Sequence, residues 1–198
     1  MPHPFATPGP ARRGFSLVEL VIVMVIMGVV AGLALPRLNL SGYRVDAIAQ
    51  QVRSVFQTAQ RTSLTRQYDI IVSFDTAKSE LRIAADSNNS GTIEPGEYRF
   101  WRPTGASEGN IFAVPPKGFS AATVTSAVVG SNLTTINGLP SIVFRRDGSA
   151  SSDAEIYVMN PARGKPQYRL ITLTRSTGRS DLYKLAGTGA SATWQVVR

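Results

Sequence analysis

The feature that most limits what this chain can fold into is an apolar run without a break. Between Leu20 and Leu35 no residue is charged. A helix from Phe15 to Leu35 would be about 30 Å long, roughly one hydrocarbon thickness. Arg12 and Arg13 stand ahead of it, and Pro36 and Arg37 close it. The run is too long for the apolar part of an ordinary secretory signal, and no small-residue cleavage site follows it. One carboxylate, Glu19, lies four residues past Phe15. A charge costs on the order of 2.5–3.5 kcal/mol at the centre of a membrane helix and less near its end. Glu19 therefore needs a cationic partner, or water and headgroups at the interface.

The text Arg12-Arg13-Gly14-Phe15-Ser16-Leu17-Val18-Glu19-Leu20, with the apolar run and Pro36 behind it, resembles the type III signal of type IV pilins and pseudopilins. The resemblance implies that a prepilin peptidase/N-methyltransferase cuts between Gly14 and Phe15 and methylates the new amine of Phe15. It also implies that Glu19 is kept inside a filament of packed helices, where it neutralises that amine on a neighbouring pilin or pseudopilin. Pro36 at the helix exit belongs to the same pattern. The chemistry agrees, since glycine leaves room for the peptidase around the scissile bond.

Cleavage there changes what the rest of the chain can do. Losing Arg12 and Arg13 leaves 19 basic against 13 acidic residues, a net charge of +6. The only histidine, His3, goes with the leader, and there is no cysteine. Triads that need histidine, thiolate nucleophiles and Cys- or His-ligated zinc are thereby excluded. No phosphate-binding glycine loop is present, so the sequence offers no catalytic residues and reads as a non-enzyme. The arginines hold the leader on the cytoplasmic side, which puts the rest across the inner membrane in a periplasm-like space.

The order of segments reads as follows. Residues 1–14 are a cleaved leader, and 15–36 are a transmembrane helix kinked, not ended, by Pro36. Gly28 and Gly32 form a G-x-x-x-G suited to close helix packing. Residues 37–66 are the amphipathic half of the same helix, with a possible break at Asn39–Gly42. Val45, Ile48, Val52, Val55, Phe56 and Ala59 make its apolar stripe. Residues 67–198 form a periplasmic antiparallel β domain. Its first two strands are Asp69–Asp75 and Glu80–Ala85, joined as a hairpin, and the next is Tyr98–Arg102. Further strands are expected near Ile111–Val114, Ala122–Val129, Ser141–Arg146, Glu155–Met159, Arg169–Arg175, Leu182–Leu185 and Thr193–Val197, with Ser126–Pro140 as a flexible loop. The fold class is α+β: a long N-terminal helix packed on an antiparallel sheet domain, as in pilins.

Two stretches of the β domain carry candidate chemistry. The loop Asp86–Glu97 has oxygen ligands at the spacing of an EF-hand calcium site. These are Asp86, Asn88 and Ser90, the Thr92 carbonyl, Glu94 through water, and Glu97 at the bidentate position, with Gly91 at the sharp turn. Its flanks are strands instead of helices, Ser90 is a poor ligand and Pro95 stiffens it, so an Asn/Gly turn closed by Asx hydrogen bonds is the simpler reading. The second stretch is Gly178-Arg179-Ser180-Asp181. It resembles the G-R-x-R ending through which the DNA-binding branch of the GspH/FimT minor-pseudopilin group acts, but Asp181 replaces the second arginine and would repel phosphate. Phe144-Arg145-Arg146-Asp147-Gly148-Ser149 reads as a strand entering a tight turn of the kind this group carries. The Asp86–Glu97 loop also resembles one of its hairpin loops.

The resemblance therefore implies a minor pseudopilin at or near the tip of a type II secretion pseudopilus or related type IV filament. A minor pilin that takes up DNA through Arg179, or a calcium-stabilised binding module on a membrane anchor, are the alternatives.

Overall fold

The computed structural model of the chain describes residues 15–34, 41–103, 109, 111–115, 124–160, 167–186 and 193–197. Two compact units make it up, Met1–Asn39 and Leu40–Arg198. The described part of the first is helix α1, Leu17–Ala34. Ser16 precedes it in the N-cap position and accepts the Glu19 N–H on its Oγ at 3.3 Å. Ser-x-x-Glu is a capping box, and a carboxylate in the first turn also suits the positive end of the helix dipole. The large apolar side chains of α1 are exposed all round, Val21 at 48% and Leu17 at 79%. A Cβ at Gly28 or Gly32 would meet no atom within 4 Å.

The second unit opens with α2, Ser41–Arg66. Its buried stripe is Val45, Ile48, Ala49, Val52, Val55, Phe56 and Ala59, the helical period expected from sequence. The helix stops in a left-handed residue, Gln67 at φ 59°, whose N–H returns to the Ser63 carbonyl at 2.9 Å.

Ten strands follow in two antiparallel sheets. They are β1 Asp69–Asp75, β2 Glu80–Asp86, β3 Tyr98–Trp101, β4 Val128–Gly130, β5 Thr134–Ile136, β6 Leu139–Phe144, β7 Ala154–Met159, β8 Tyr168–Leu173, β9 Ser180–Ala186 and β10 Thr193–Val196. The first sheet runs β3-β2-β1-β6-β5 and the second β10-β9-β8-β7-β4. One core joins α2 to both sheets, with Phe56 at its centre. Its ring lies 6.0 Å from that of Phe74 on β1 and 6.1 Å from that of Phe144 on β6. A smaller cluster of Ile71, Ala84, Ile93 and Ile136 seals the opposite face of the first sheet. Strand β1 is thus buried on both faces, which is why Ile70-Ile71-Val72 reads as a solid apolar run and not as an alternation.

Several expectations change. Of the helix expected to run on through Pro36, α1 and α2 are the described parts; the expectation at the kink falls on residues 35–40, Pro36 among them, which lie outside the described residues. The eighteen described residues of α1 rise about 27 Å. Among the described residues no helix is long and apolar enough to cross a membrane. The expected flexible loop at Ser126–Pro140 is instead structured, holding β4, β5 and the start of β6. Asn137 and Gly138 make a two-residue turn there, both at positive φ (51° and 77°), between the paired residues Ile136 and Leu139. The strand expected near Ile111–Val114 reduces to a single bridge, Phe112 to Val158.

Candidate functional site

The first candidate is the entrance to α1. Phe15 is 86% exposed, and Glu19 sits in the first turn with no acid or base beside it on that turn. Gly14, like Arg12 and Arg13, lies outside the described residues. Ser16 is the residue that sequence reasoning passed over. It caps the helix start through the Glu19 backbone N–H, and Glu19 stands at the spacing of a capping box. The Ser-x-x-Glu spacing was the available signal.

The Asp86–Glu97 loop is the second candidate. The structure does bring the six predicted ligand residues into one loop, but it commits them to the loop's own donors. Asp86 is 3% exposed, and its two carboxylate oxygens accept the Ser90 and Gly91 N–H groups at 2.8 and 2.9 Å. Asn88 accepts the Ser90 N–H at 3.0 Å and donates to Glu94 at 3.1 Å. Ser90 and Thr92 share a hydroxyl contact at 3.1 Å, and Glu97 accepts the Glu94 N–H at 3.2 Å. Asn137 donates to the Ile93 carbonyl at 3.0 Å, holding Ile93 in the second cluster. Among the described residues, no three acidic or imidazole groups gather as a metal site. Titrating calcium to millimolar concentration should give no heat of binding in a calorimeter. A saturable heat would return the loop to the calcium reading.

The third candidate is the cluster of turns at the C-terminal end of α2. Arg145 and Ser149 close a tight turn, with Gly148 at φ 82°. The Ser149 hydroxyl, at 2.6 Å, and its N–H, at 2.8 Å, both bond Asp147, and they hold that carboxyl below its usual range. Gly178, at φ 62°, sits in the next turn, where an added Cβ would overlap the Gly148 carbonyl. Gln60 of α2 ties the two turns together, donating to the Gly148 carbonyl at 2.8 Å and to the Thr177 carbonyl at 2.5 Å. Arg179 does not reach out to solvent alone. It bonds Asp181, the acid that breaks the G-R-x-R pattern, at 2.9 and 3.2 Å. Trp101 and Trp194 lie in different sheets, Trp101 against the main core and Trp194 against Tyr157, so they form no common stacking platform. Sequence reasoning also missed two ion pairs of the fold. Buried Arg169 on β8 meets Asp46 of α2 at 2.5 Å, and Glu80, 3% exposed, meets Arg102 at 3.0 Å.

Compared with known proteins, residues 10–35 match the family model of the prokaryotic N-terminal methylation motif. That match supports a type IV pilin-like protein, a pilin or pseudopilin subunit processed by cleavage and methylation and assembled with others of its kind. The N-terminal helix and antiparallel β domain are consistent with it. No solved structure matches the chain.

Proposed function

We propose that the chain is a minor pseudopilin of the GspH/FimT type, a structural subunit placed at or near the tip of a type II secretion pseudopilus or a related filament. The observation that carries this reading is the stretch from Gly14 to Ala34. It joins a methylation motif to an apolar helix whose large side chains are exposed and that bears one carboxylate. In this reading the peptidase cuts after Gly14 and methylates Phe15. The subunit waits in the inner membrane as a single-pass protein, leader in the cytoplasm and β domain in the periplasm. It enters the filament when α1 moves from lipid to the packed helices of its neighbours. The protein does no covalent chemistry of its own.

The bond between Arg179 and Asp181 favours this reading over DNA uptake. Non-specific binding to DNA needs several free cations along the phosphate backbone, and this one already has a partner. Gly14→Trp tests the first step. A bulky residue at the scissile bond should leave the leader attached and the subunit out of the filament. A cleaved product on a blot of membranes would contradict the assignment.

A further inference from the structure

Two guanidinium groups at the turn cluster stand apart from the scattered ion pairs of the surface. Arg145, Ser149, Asp153, Arg175 and Ser176 line a cleft of about 260 Å³ between the β6–β7 and β8–β9 turns. The two turns are bridged at this point, because Ala150 N–H donates to the Arg175 carbonyl at 2.8 Å. Gln60 ties them a second time from α2. The cleft is therefore held in shape before anything enters it, which lowers the ordering cost of binding.

Its charges are left open in a particular pattern. Arg146 is engaged with Asp69 and Asn89, and Arg179 with Asp181. Arg175 spends its backbone N–H on Asp153 Oδ1 at 2.7 Å, and no described side chain pairs with its guanidinium. The Arg145 guanidinium donates a long hydrogen bond, 3.4 Å, to the Ala150 carbonyl, and its charge also acts on Asp147 without closing an ion pair. Around this pair stand carboxylates, Asp153 in the wall, Asp147 on the β6–β7 turn and Asp181 at the start of β9. A polyphosphate backbone laid across such a surface would meet acids on either side of the two cations. A single carboxylate presents one charge to the two cations, in the forked geometry that guanidinium groups favour, and the one acid in the wall, Asp153, already has its Oδ1 bound to the Arg175 N–H.

We propose that this cleft captures one carboxylate of a partner protein: an Asp or Glu side chain flanked by amide or basic residues, which the surrounding acids accept. Arg145 and Arg175 supply the donors, and the Ser176 hydroxyl supplies a third. The proposal concerns a contact outside α1, so it stands or falls separately from the filament reading.

The test uses the full chain in detergent micelles, labelled with nitrogen-15. It is titrated with acetyl-Lys-Glu-Asn-amide, with the matching Gln peptide, and with a short DNA duplex. The arginine Nε–H resonances report directly on the cleft. Arg145 and Arg175 should shift saturably with the Glu peptide and not with the Gln peptide, while Arg179 stays put. Arg145→Gln and Arg175→Gln should each weaken binding about tenfold, the loss of one charge-assisted hydrogen bond. Both side chains are exposed on turns, so unchanged melting curves would show that the variants still fold. Three results would overturn the proposal: no shift of these two resonances, an equal shift with the Gln peptide, or a tighter response to the duplex than to the Glu peptide.

Discussion

Glu19→Gln should leave the protein in the membrane fraction but cut its entry into filaments at least about tenfold. The substitution is chosen because it separates two roles that one side chain holds. Ser16 caps α1 and accepts the Glu19 N–H, and a capping box works with Gln as well as Glu at the third helical position. The helix should therefore start where it does now. What disappears is the negative charge. If Glu19 offsets a methylated amine on a neighbour inside packed helices, its loss strands a buried cation, at a cost of about 3–5 kcal/mol. That is more than a hundredfold in an assembly constant if the pair is fully desolvated, and less where water reaches it. Ser16→Ala is the complementary change. It removes the cap, costs about 1 kcal/mol of helix stability and leaves the charge, so assembly should persist. Glu19→Val also removes the charge while its backbone N–H keeps the Ser16 cap, and it should insert but assemble poorly. Normal incorporation of Glu19→Gln would mean that the Glu19 charge is not needed for assembly.

Phe56→Ala should lower the stability of the second unit by about 3–5 kcal/mol, the range for emptying a buried aromatic site. Phe56 is fully buried and touches the rings of Phe74 and Phe144, which belong to adjacent strands of the first sheet. Phe74 in turn meets Phe112 at 6.0 Å. The cavity would open at the junction of α2 with that sheet, where strands fixed by their own ladder hydrogen bonds leave little freedom to close it. A loss of this size is a large part of a typical domain's 5–15 kcal/mol, and it should lower the melting temperature by roughly 10 °C. Tyr43→Ala, at a position 76% exposed on α2, should change stability by no more than about 0.5 kcal/mol. Equal melting of the two variants would mean that the aromatic junction is not the keystone of the core.

The parts of the fold that were legible in the sequence share a physical cause. Strand β1 was read with the bounds it has because Ile70, Ile71, Val72 and Phe74 stand between aspartates at both ends. The apolar stripe of α2 was read because its period shows within a few turns. The segment from 126 to 140 was misread because small and polar residues suggested a loose loop, although Asn137-Gly138 is itself a strong hairpin signal when short strands flank it. The opposite face of the first sheet could not be read at all. Ile93 and Ile136 become core residues only after a loop and a hairpin fold over Ile71.

The candidate sites divide in the same way. The α1 entrance is local and was legible except for Ser16. Arg179 was read as a DNA contact weakened by Asp181, and the bond between the two spans only two residues. By contrast, Arg169 meets Asp46 across 123 positions, and Gln60 reaches the two turns across 88 and 117. Such pairs exist only once the chain has closed, and no spacing in the sequence announces them.

One amide, that of Gln60, spans two turns that are otherwise remote in the chain. Turns of this kind ordinarily fray one at a time, each with its own opening rate. Here neither can lift off α2 without giving up a shared donor, so the Gly148 and Gly178 amides should exchange with solvent as a single cooperative unit. The end of the domain that carries the cleft would then open and close as one latch, and a ligand gripping either turn would slow the opening of both.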